Sequence, residues 1–341
     1  VLRVAINGYG RIGRIVHRQL LKNFAKEVEV VAVNASSDAA MRAYLLKYDS
    51  LHGRFDGEVE VKGDDMLVNG NLVAVLKVRE PGSCPWQKLG VDVVVESSGK
   101  FRTRELAQPH VAAGAKAVIV TAPPKDDLPL VVRGVNDDAL ARSLPIFSAA
   151  SCTTNCIAPI LSVLDSAIGI AHGLVSTTHA YTASQNLLDN KTDSSKIRIA
   201  RAAALSIIPS TTGAVKACAN LFPHLEGKLS GLALRVPVPT VSVAVLALSM
   251  ARRTTGSEVH ALLRQASEDA WKGILGFEAE QLVSADYVGD PRSCIIDADS
   301  TDIVDGTLLQ LLAWYDNEWG YSMRITELVV AAGKLFLKAK S

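Results

Sequence analysis

Leu2-Arg3-Val4-Ala5-Ile6-Asn7-Gly8-Tyr9-Gly10-Arg11-Ile12-Gly13 is the stretch whose reading decides the fold. A short apolar run ends in Gly-x-Gly-x-x-Gly, and a helical pattern follows at Ile15–Leu21. In that setting Gly8 permits a tight turn, Gly10 lets the backbone approach a pyrophosphate, and Gly13 allows a helix to pack closely on a strand. Glycine-rich turns are common. The placement between strand and helix is what points to a dinucleotide, with Arg11 and Ile12 carried along inside the motif.

The second strand, Val28–Val33, ends in Asn34-Ala35-Ser36-Ser37-Asp38. An NAD site usually carries a carboxylate here for the adenosine ribose. Ala35 and Ser36 occupy the place, and Asp38 comes late enough to read as the N-cap of a helix over Ala39–Lys47. A carboxylate about 4 Å from a 2′-phosphate would repel it by several kcal/mol at most at an effective dielectric near 20. Its absence also forfeits a charged hydrogen bond to the ribose, about 1.5–3 kcal/mol. Both effects favour NADP, with NAD as the second coenzyme. Further apolar runs at Val59–Val61, Met66–Val68, Val73–Lys77, Val91–Glu96, Val118–Val120 and Ile146–Ala149 extend the sheet. Ser97, Gly99 and Thr121 close two of them, where strand ends face the ligand crevice of a doubly wound sheet.

A second centre is Ala150-Ser151-Cys152-Thr153-Thr154-Asn155-Cys156, a cysteine among hydroxyl and amide side chains directly before the apolar Ile157–Leu164. Ser151 suits a helix N-cap, and a thiol in the first turn of that helix is expected to ionise more easily than a free one. Pro159 implies a kink or an irregular first turn. Downstream, Leu174-Val175-Ser176-Thr177-Thr178-His179 has strand character. Of the seven histidines, His179 is the one at a strand end amid hydroxyls, and so the candidate base. Gln185–Lys196 reads as a long irregular loop. Ser210-Thr211-Thr212-Gly213 before a helix at Val215–Leu221 is an anion site in form, and Arg235 lies within a strand. Val241–Met250 reads as a buried strand, Glu258–Ala270 as a helix, Leu308–Trp314 as a strand and Met323–Leu337 as an amphipathic terminal helix.

The balance of 36 basic and 35 acidic residues, without a basic block interleaved with aromatics, argues against nucleic acid as partner. Five cysteines, an odd number out of zinc-ligand spacing, suit free thiols in a reducing compartment and no metal. The chain enters a strand at once, so no signal peptide is expected. Val241–Ala251 is too short to span a bilayer, so no membrane partner is expected either. A cytoplasmic location follows, with an organelle after removal of a transit peptide as the other possibility.

Taken in order, these motifs resemble phosphorylating glyceraldehyde-3-phosphate dehydrogenase from Val4 to about Ala331, including the spacing between Cys152 and His179. The resemblance implies a Rossmann-type doubly wound parallel sheet over residues 1–151, with the terminal helix 318–341 packed back on it. It also implies an α+β catalytic domain with a mixed sheet over 152–317. Cys152 is then the nucleophile and His179 the general base. Thr182 and Arg235 match the substrate-phosphate site. Ser151, Thr153, Thr212 and Gly213 match the inorganic-phosphate site, with Arg198 nearby. Asn317 matches the residue that holds the nicotinamide carboxamide, Tyr321 a neighbour of that ring, and Arg79 flanks the adenine end. The implied reaction converts glyceraldehyde 3-phosphate, inorganic phosphate and NADP or NAD to 1,3-bisphosphoglycerate in a homotetramer. Lys191, Ser194 and Ser195 in the long loop are candidates to meet a 2′-phosphate. Erythrose-4-phosphate dehydrogenase is the nearest related activity, but His179-Ala180-Tyr181-Thr182 and Ser210–Gly213 follow the glyceraldehyde type. A non-catalytic dinucleotide-binding regulator is disfavoured by the intact Cys152 and His179.

Overall fold

The computed structural model describes residues 1–338 of the 341, so the last three residues of the terminal helix expected over 318–341 lie outside the described residues. The chain divides into two compact units, one of Val1–Ser151 with the segment from Ser322 onward, the other of Cys152–Tyr321.

The first unit runs β1 (Leu2–Asn7), α1 (Arg11–Phe24), β2 (Val28–Asn34) and α2 (Ala39–Lys47), then the small hairpin β3 (Tyr48–Asp49) and β4 (Gly53–Arg54). It continues with β5 (Val59–Lys62), β6 (Asp65–Val68), β7 (Asn71–Leu76), β8 (Val93–Glu96), α3 (Arg104–Ala112), β9 (Ala117–Val120), α4 (Leu140–Ser143) and β10 (Ile146–Ser148). The sheet order is β10-β9-β8-β1-β2-β7-β6-β5. The strands from β10 to β7 are parallel, and β6 and β5 add an antiparallel edge. β8 and β9 are buried at every position, as strands covered on both faces must be. The carboxyl ends of β1, β2, β8 and β9 therefore share one edge. Asp38 caps α2, accepting the Met41 N–H at 2.9 Å, a contact worth about 1 kcal/mol.

The second unit holds α5 (Cys152–Ala167), β11 (Ile170–Ala180), β12 (Ile208–Ser210), α6 (Ala214–Leu221), β13 (Leu229–Val236), β14 (Ser242–Met250), α7 (Gly256–Glu268), β15 (Leu275–Glu278), β16 (Cys294–Val304) and β17 (Leu308–Tyr315). Its sheet order is β12-β13-β11-β14-β17-β16-β15, mixed in direction. β14 alternates buried and half-buried residues, so one face carries the core. Pro159 lies inside α5, which nonetheless runs on to Ala167. Its ring removes one backbone donor, and burial of Ile157, Ala158, Ile160, Leu161 and Leu164 holds the helix across that gap.

The terminal helix α8 (Trp319–Lys338) begins at the end of the second unit. Further along it lies against β1: a Cβ on Gly333 would fall 2.5 Å from the Leu2 side chain, so only glycine permits that approach. Lys334 pairs with Glu27 at 3.2 Å.

Candidate functional site

In the first unit the glycine motif forms a cradle. Gly8 has φ +93° and a Cβ there would sit 2.3 Å from Ser98 N, while a Cβ on Gly13 would sit 2.3 Å from the Gly8 carbonyl. Both positions exclude any side chain. Gly10 is different: a Cβ would meet nothing within 4 Å. It stands at the N-cap of α1 without a side-chain cap. First-turn N–H groups without a side-chain cap, beside a residue with room around it, suit a pyrophosphate.

The strand ends around the cradle are wired from below. Asn34 donates to Asn7 Oδ1 at 2.6 Å and to the Val78 carbonyl at 2.8 Å, and accepts the Val78 N–H at 2.9 Å. Its amide is spent on holding the end of β2. Buried Glu96 accepts from Asn7, Ser98 N and His110, and Trp86 Nε1 donates to His110 Nδ1 at 3.0 Å. That last bond leaves the His110 proton on Nε2, facing Glu96. Sequence reasoning missed this Trp86–His110–Glu96–Asn7 network, which touches residues far apart in the chain. Ala35 is half-buried and Ser36 exposed, with no carboxylate between them, and Asp38 is engaged as a helix cap. Ser97 donates to the Gly8 carbonyl at 2.5 Å, Thr121 to the Glu96 carbonyl at 3.2 Å, and Gly99 takes φ +73°. Arg11 makes a two-pronged ion pair with Asp49 at 2.9 and 3.1 Å, so its main chain is what it offers to a ligand. Ile12 is half-buried and Arg79 exposed.

In the second unit α5 begins at Cys152, and Ala150 just before it takes φ +58°, a left-handed turn that a non-glycine residue adopts at some cost. Cys152 Sγ lies 3.4 Å from His179 Nε2. His179 Nδ1 lies 2.7 Å from the Ala180 carbonyl and 2.6 Å from Arg235 Nη1, which also donates to that carbonyl at 3.1 Å. The parallel pairing of β11 with β13 sets His179 directly beside Arg235.

Three residues that the sequence reading passed over complete the support. Tyr315 stands edge-on to the imidazole at 6.0 Å, its hydroxyl bonded to Thr153 at 3.0 Å and Thr177 at 2.8 Å. The Thr153 hydroxyl thus turns to the core. Ser242 accepts the Ala180 N–H at 3.1 Å and donates to Asn317 Oδ1 at 2.9 Å, which leaves the Asn317 amide N–H groups for another acceptor. Val241, next to Ser242, has φ +66°, an outlier for a β-branched residue that stores about 1–3 kcal/mol at this position. Asp316 fixes the Asn317 loop by accepting from Gly289 N, Glu318 N and Trp319 N. Tyr315, Asp316 and Asn317 are contiguous in the chain, but Ser242 is far from them in sequence and the partners of all four depend on strand register.

Of the other candidates, Thr182 pairs with the Ser184 hydroxyl at 2.9 Å. Thr212 accepts the Ala214 N–H at 3.2 Å, and Gly213 is the N-cap of α6 with open space beside it. Ser151 is half-buried and Tyr321 buried. Arg198 is exposed in the short helical segment Ser194–Ala200. In the same loop Ser195 donates to Asp193, so its hydroxyl is already engaged.

The electrostatics correct one expectation. Burial pushes the Cys152 thiol above its usual range, and Arg235 and the Thr153 hydroxyl only partly offset it. Burial, helped by Arg235, pushes His179 down to about 4. Withdrawal from water thus works against charge on either group, opposing the pull of the helix terminus on the thiol.

His17, buried behind Tyr9, is likewise pushed down by burial, to about 3. From the usual 6.5 downward, the unfolded chain binds protons that these two folded-state histidines refuse. Stability is therefore lost as pH falls below about 6.5, by up to about 1.4 kcal/mol per pH unit for each histidine. The urea midpoint is expected to fall between about pH 6.5 and 4.5, and less steeply in a His17→Gln variant. A midpoint flat over that window would contradict it.

Among the described residues no His, Cys, Asp or Glu cluster could hold a metal, no helix is long and apolar enough to cross a membrane, and all five cysteines are free. The family profile described as glyceraldehyde 3-phosphate dehydrogenase, NAD binding domain, matches residues 2–104, and that of the C-terminal domain matches residues 151–317. The glyceraldehyde-3-phosphate dehydrogenase of Geobacillus stearothermophilus is 49% identical over 328 residues, 96% of this chain and 97% of its own. Glyceraldehyde-3-phosphate dehydrogenase 2 of Bacillus subtilis is 46% identical over 329 residues, 96% of each chain. The chloroplastic glyceraldehyde-3-phosphate dehydrogenase of Arabidopsis thaliana is 46% identical over 328 residues, 96% of this chain and 82% of its own.

Proposed function

The chain belongs to the glyceraldehyde-3-phosphate dehydrogenase family, and from that premise we propose that it oxidises and phosphorylates glyceraldehyde 3-phosphate to 1,3-bisphosphoglycerate, reversibly, with a nicotinamide dinucleotide. The observation that carries the reading is the Cys152 sulfur 3.4 Å from the His179 ring nitrogen at the start of α5. Cys152 adds to the aldehyde carbon, and the carbonyl oxygen becomes the hydroxyl of a thiohemiacetal. His179 Nε2 takes that hydroxyl proton as hydride leaves the carbon. The bound nicotinamide supplies the hydride acceptor. The Cys152 thioester left behind keeps the oxidation energy available, and inorganic phosphate attacks it to release the acyl phosphate. The Cys152 N–H stabilises the oxyanion; a donor in that role contributes about 2.7–4 kcal/mol.

Thr182 and Arg235 hold the substrate's phosphate in this reading. Ser151, Thr212 and Gly213 hold inorganic phosphate, assisted by Arg198, and Thr153, whose hydroxyl is engaged by Tyr315, contributes there through its main chain. The space beside Gly213 at the start of α6 supports the second site. Residues 1–151 form the coenzyme domain and 152–317 the catalytic domain. The glycine cradle takes the pyrophosphate, and Asn317, its carbonyl held by Ser242, presents amide donors to the carboxamide, with Tyr321 nearby. The protein works as a homotetramer in the cytoplasm. Leu187, Leu188, Ile197, Leu205 and Ile207, each two-thirds or more exposed, support a subunit contact along the long loop.

NADP is the preferred coenzyme, since Ala35 offers no carboxylate and Asp38 is occupied as a cap. Comparing kcat/KM for the two coenzymes tests this directly. Ala35→Asp is expected to move the ratio toward NAD by on the order of 10²-fold, from charge repulsion and the regained ribose hydrogen bond. A wild-type enzyme that strongly prefers NAD, or a ratio untouched by the substitution, would remove the NADP assignment.

A further inference from the structure

The turn between β2 and α2 is pinned to the glycine cradle at both ends. At one end Gly8 N donates to the Asn34 carbonyl at 2.9 Å. At the other, Arg42, in the first turn of α2, donates through Nη1 to the Tyr9 carbonyl at 3.1 Å. Tyr9 stands between Gly8 and Gly10, so this guanidinium is held beside the cradle itself. The same carbonyl accepts from Arg14 Nη1 on α1, also at 3.1 Å. Two cations share one neutral acceptor.

Among the described residues neither Arg14 nor Arg42 donates to a carboxylate. The acids around them are committed elsewhere. Asp49 is held by Arg11 and by the Leu51 and His52 N–H groups, and Asp38 caps α2. Withdrawal from water lowers both guanidinium groups from their usual range, and Asp49 and Asp38 only partly offset it; Arg42 adds its own repulsion to Arg14. Half-buried Arg42 keeps Nε and Nη2 without an acceptor among the described residues, and in the same turn the Ser37 hydroxyl is buried without a partner. A partly desolvated cation in that state is stabilised by an anion that comes to it.

The place decides which anion. A dinucleotide lays its adenosine ribose over the end of β2. The 2′ position of that ribose carries a hydroxyl in NAD and a phosphate in NADP, the one difference between the two. A guanidinium with donors to spare and a permanent charge matches a phosphate there.

We infer that Arg42 is a specificity-determining residue for the coenzyme, its unspent guanidinium donors taking the 2′-phosphate of NADP and the Ser37 hydroxyl turning to the same oxygens. The inference rests on the proposed NADP preference and adds an attractive element to it. Ala35 only removes a repulsion, whereas Arg42 supplies the counter-charge. The bond to Tyr9 ties that charge to the loop that takes the pyrophosphate, so both anionic parts of the coenzyme are gripped from one rigid corner.

Binding without turnover tests this. Titration calorimetry of the wild-type protein should show adenosine 2′,5′-bisphosphate binding more tightly than 5′-AMP by on the order of tenfold, an advantage that shrinks as salt is raised. In Arg42→Leu the ratio of NADP to NAD affinity is expected to fall by on the order of tenfold, the share of one charge-assisted contact. Arg42→Lys, which keeps the charge, should hold more of that ratio than Arg42→Gln, which keeps only a neutral donor. This pair carries the comparison even where Arg42→Leu does not fold. An unchanged ratio, or equal losses for both coenzymes, would overturn the proposal, because Arg42 would then do no more than tie Tyr9 in place. So would a wild-type protein that binds the bisphosphate no better than 5′-AMP. If Arg42 fails these tests while Ala35→Asp still moves the coenzyme ratio, the NADP reading stands without it. A wild-type preference for NAD removes that reading, and this inference with it.

Discussion

Cys152→Ser is expected to lower turnover of glyceraldehyde 3-phosphate by on the order of 10⁴-fold or more, the loss seen when the nucleophile of a catalytic unit is removed. Coenzyme affinity should stay as it was, because the groups proposed to hold the coenzyme, the glycine cradle around Gly8, Gly10 and Gly13 and the Asn317 amide, are unaltered. The swap leaves the first turn of α5 and the His179 contact in place. What it removes is the sulfur. A serine hydroxyl is a far weaker nucleophile at neutral pH, and an oxygen ester would hold less of the oxidation energy for transfer to phosphate. Burial pushes the Cys152 thiol up, and sulfur at that position still ionises far more readily than a serine hydroxyl would. Stopped-flow formation of the reduced coenzyme and titration calorimetry of coenzyme binding separate the two effects. A variant within tenfold of wild type would end the thioester mechanism.

Why the sequence reached some of this and not the rest has physical reasons. The glycine motif was legible because each of its constraints is local. A positive φ at Gly8 and the close approach at Gly13 lie within a few residues of the strand and helix that impose them. Asp38 was legible as a cap for the same reason: its partner Met41 is one turn away. The state of Cys152 was not legible. Ser151, Thr153, Thr154 and Asn155 look like a solvated polar run, but Thr153, Thr154 and Asn155 are buried, and burial reverses the expected ionisation. The meeting of His179 with Arg235 needs the register of β11 on β13, parallel strands joined through β12 and α6. Ser242 and Tyr315 take their roles from register too, which no single stretch encodes. β16 went unseen because Cys294–Val304 is rich in acidic residues and its pairing with β17 slips between Asp297 and Asp302.

His179→Asn is expected to lower the hydride-transfer step by about 10²–10⁴-fold, the usual worth of a positioned general base. The two sides of the imidazole make the choice of variant informative. An asparagine amide can reproduce the Nδ1 side and keep its contact with the Ala180 carbonyl, but it cannot reach Cys152 as Nε2 does at 3.4 Å. A glutamine amide can reach the sulfur yet accept no proton. If His179 merely orients the thiol, His179→Gln should restore much of the rate lost in His179→Asn. If it takes the thiohemiacetal proton, neither amide restores it, and the residual rate should climb with pH as hydroxide takes over, about tenfold per unit. KM for glyceraldehyde 3-phosphate should move little in either variant, because Thr182 and Arg235, not His179, are proposed to hold its phosphate. His179 is almost wholly buried against Tyr315, so thermal unfolding of each variant must accompany the kinetics. A folded His179→Asn enzyme that still transferred hydride within tenfold of wild type would leave Cys152 acting without this base, and the 3.4 Å contact would lose its catalytic meaning.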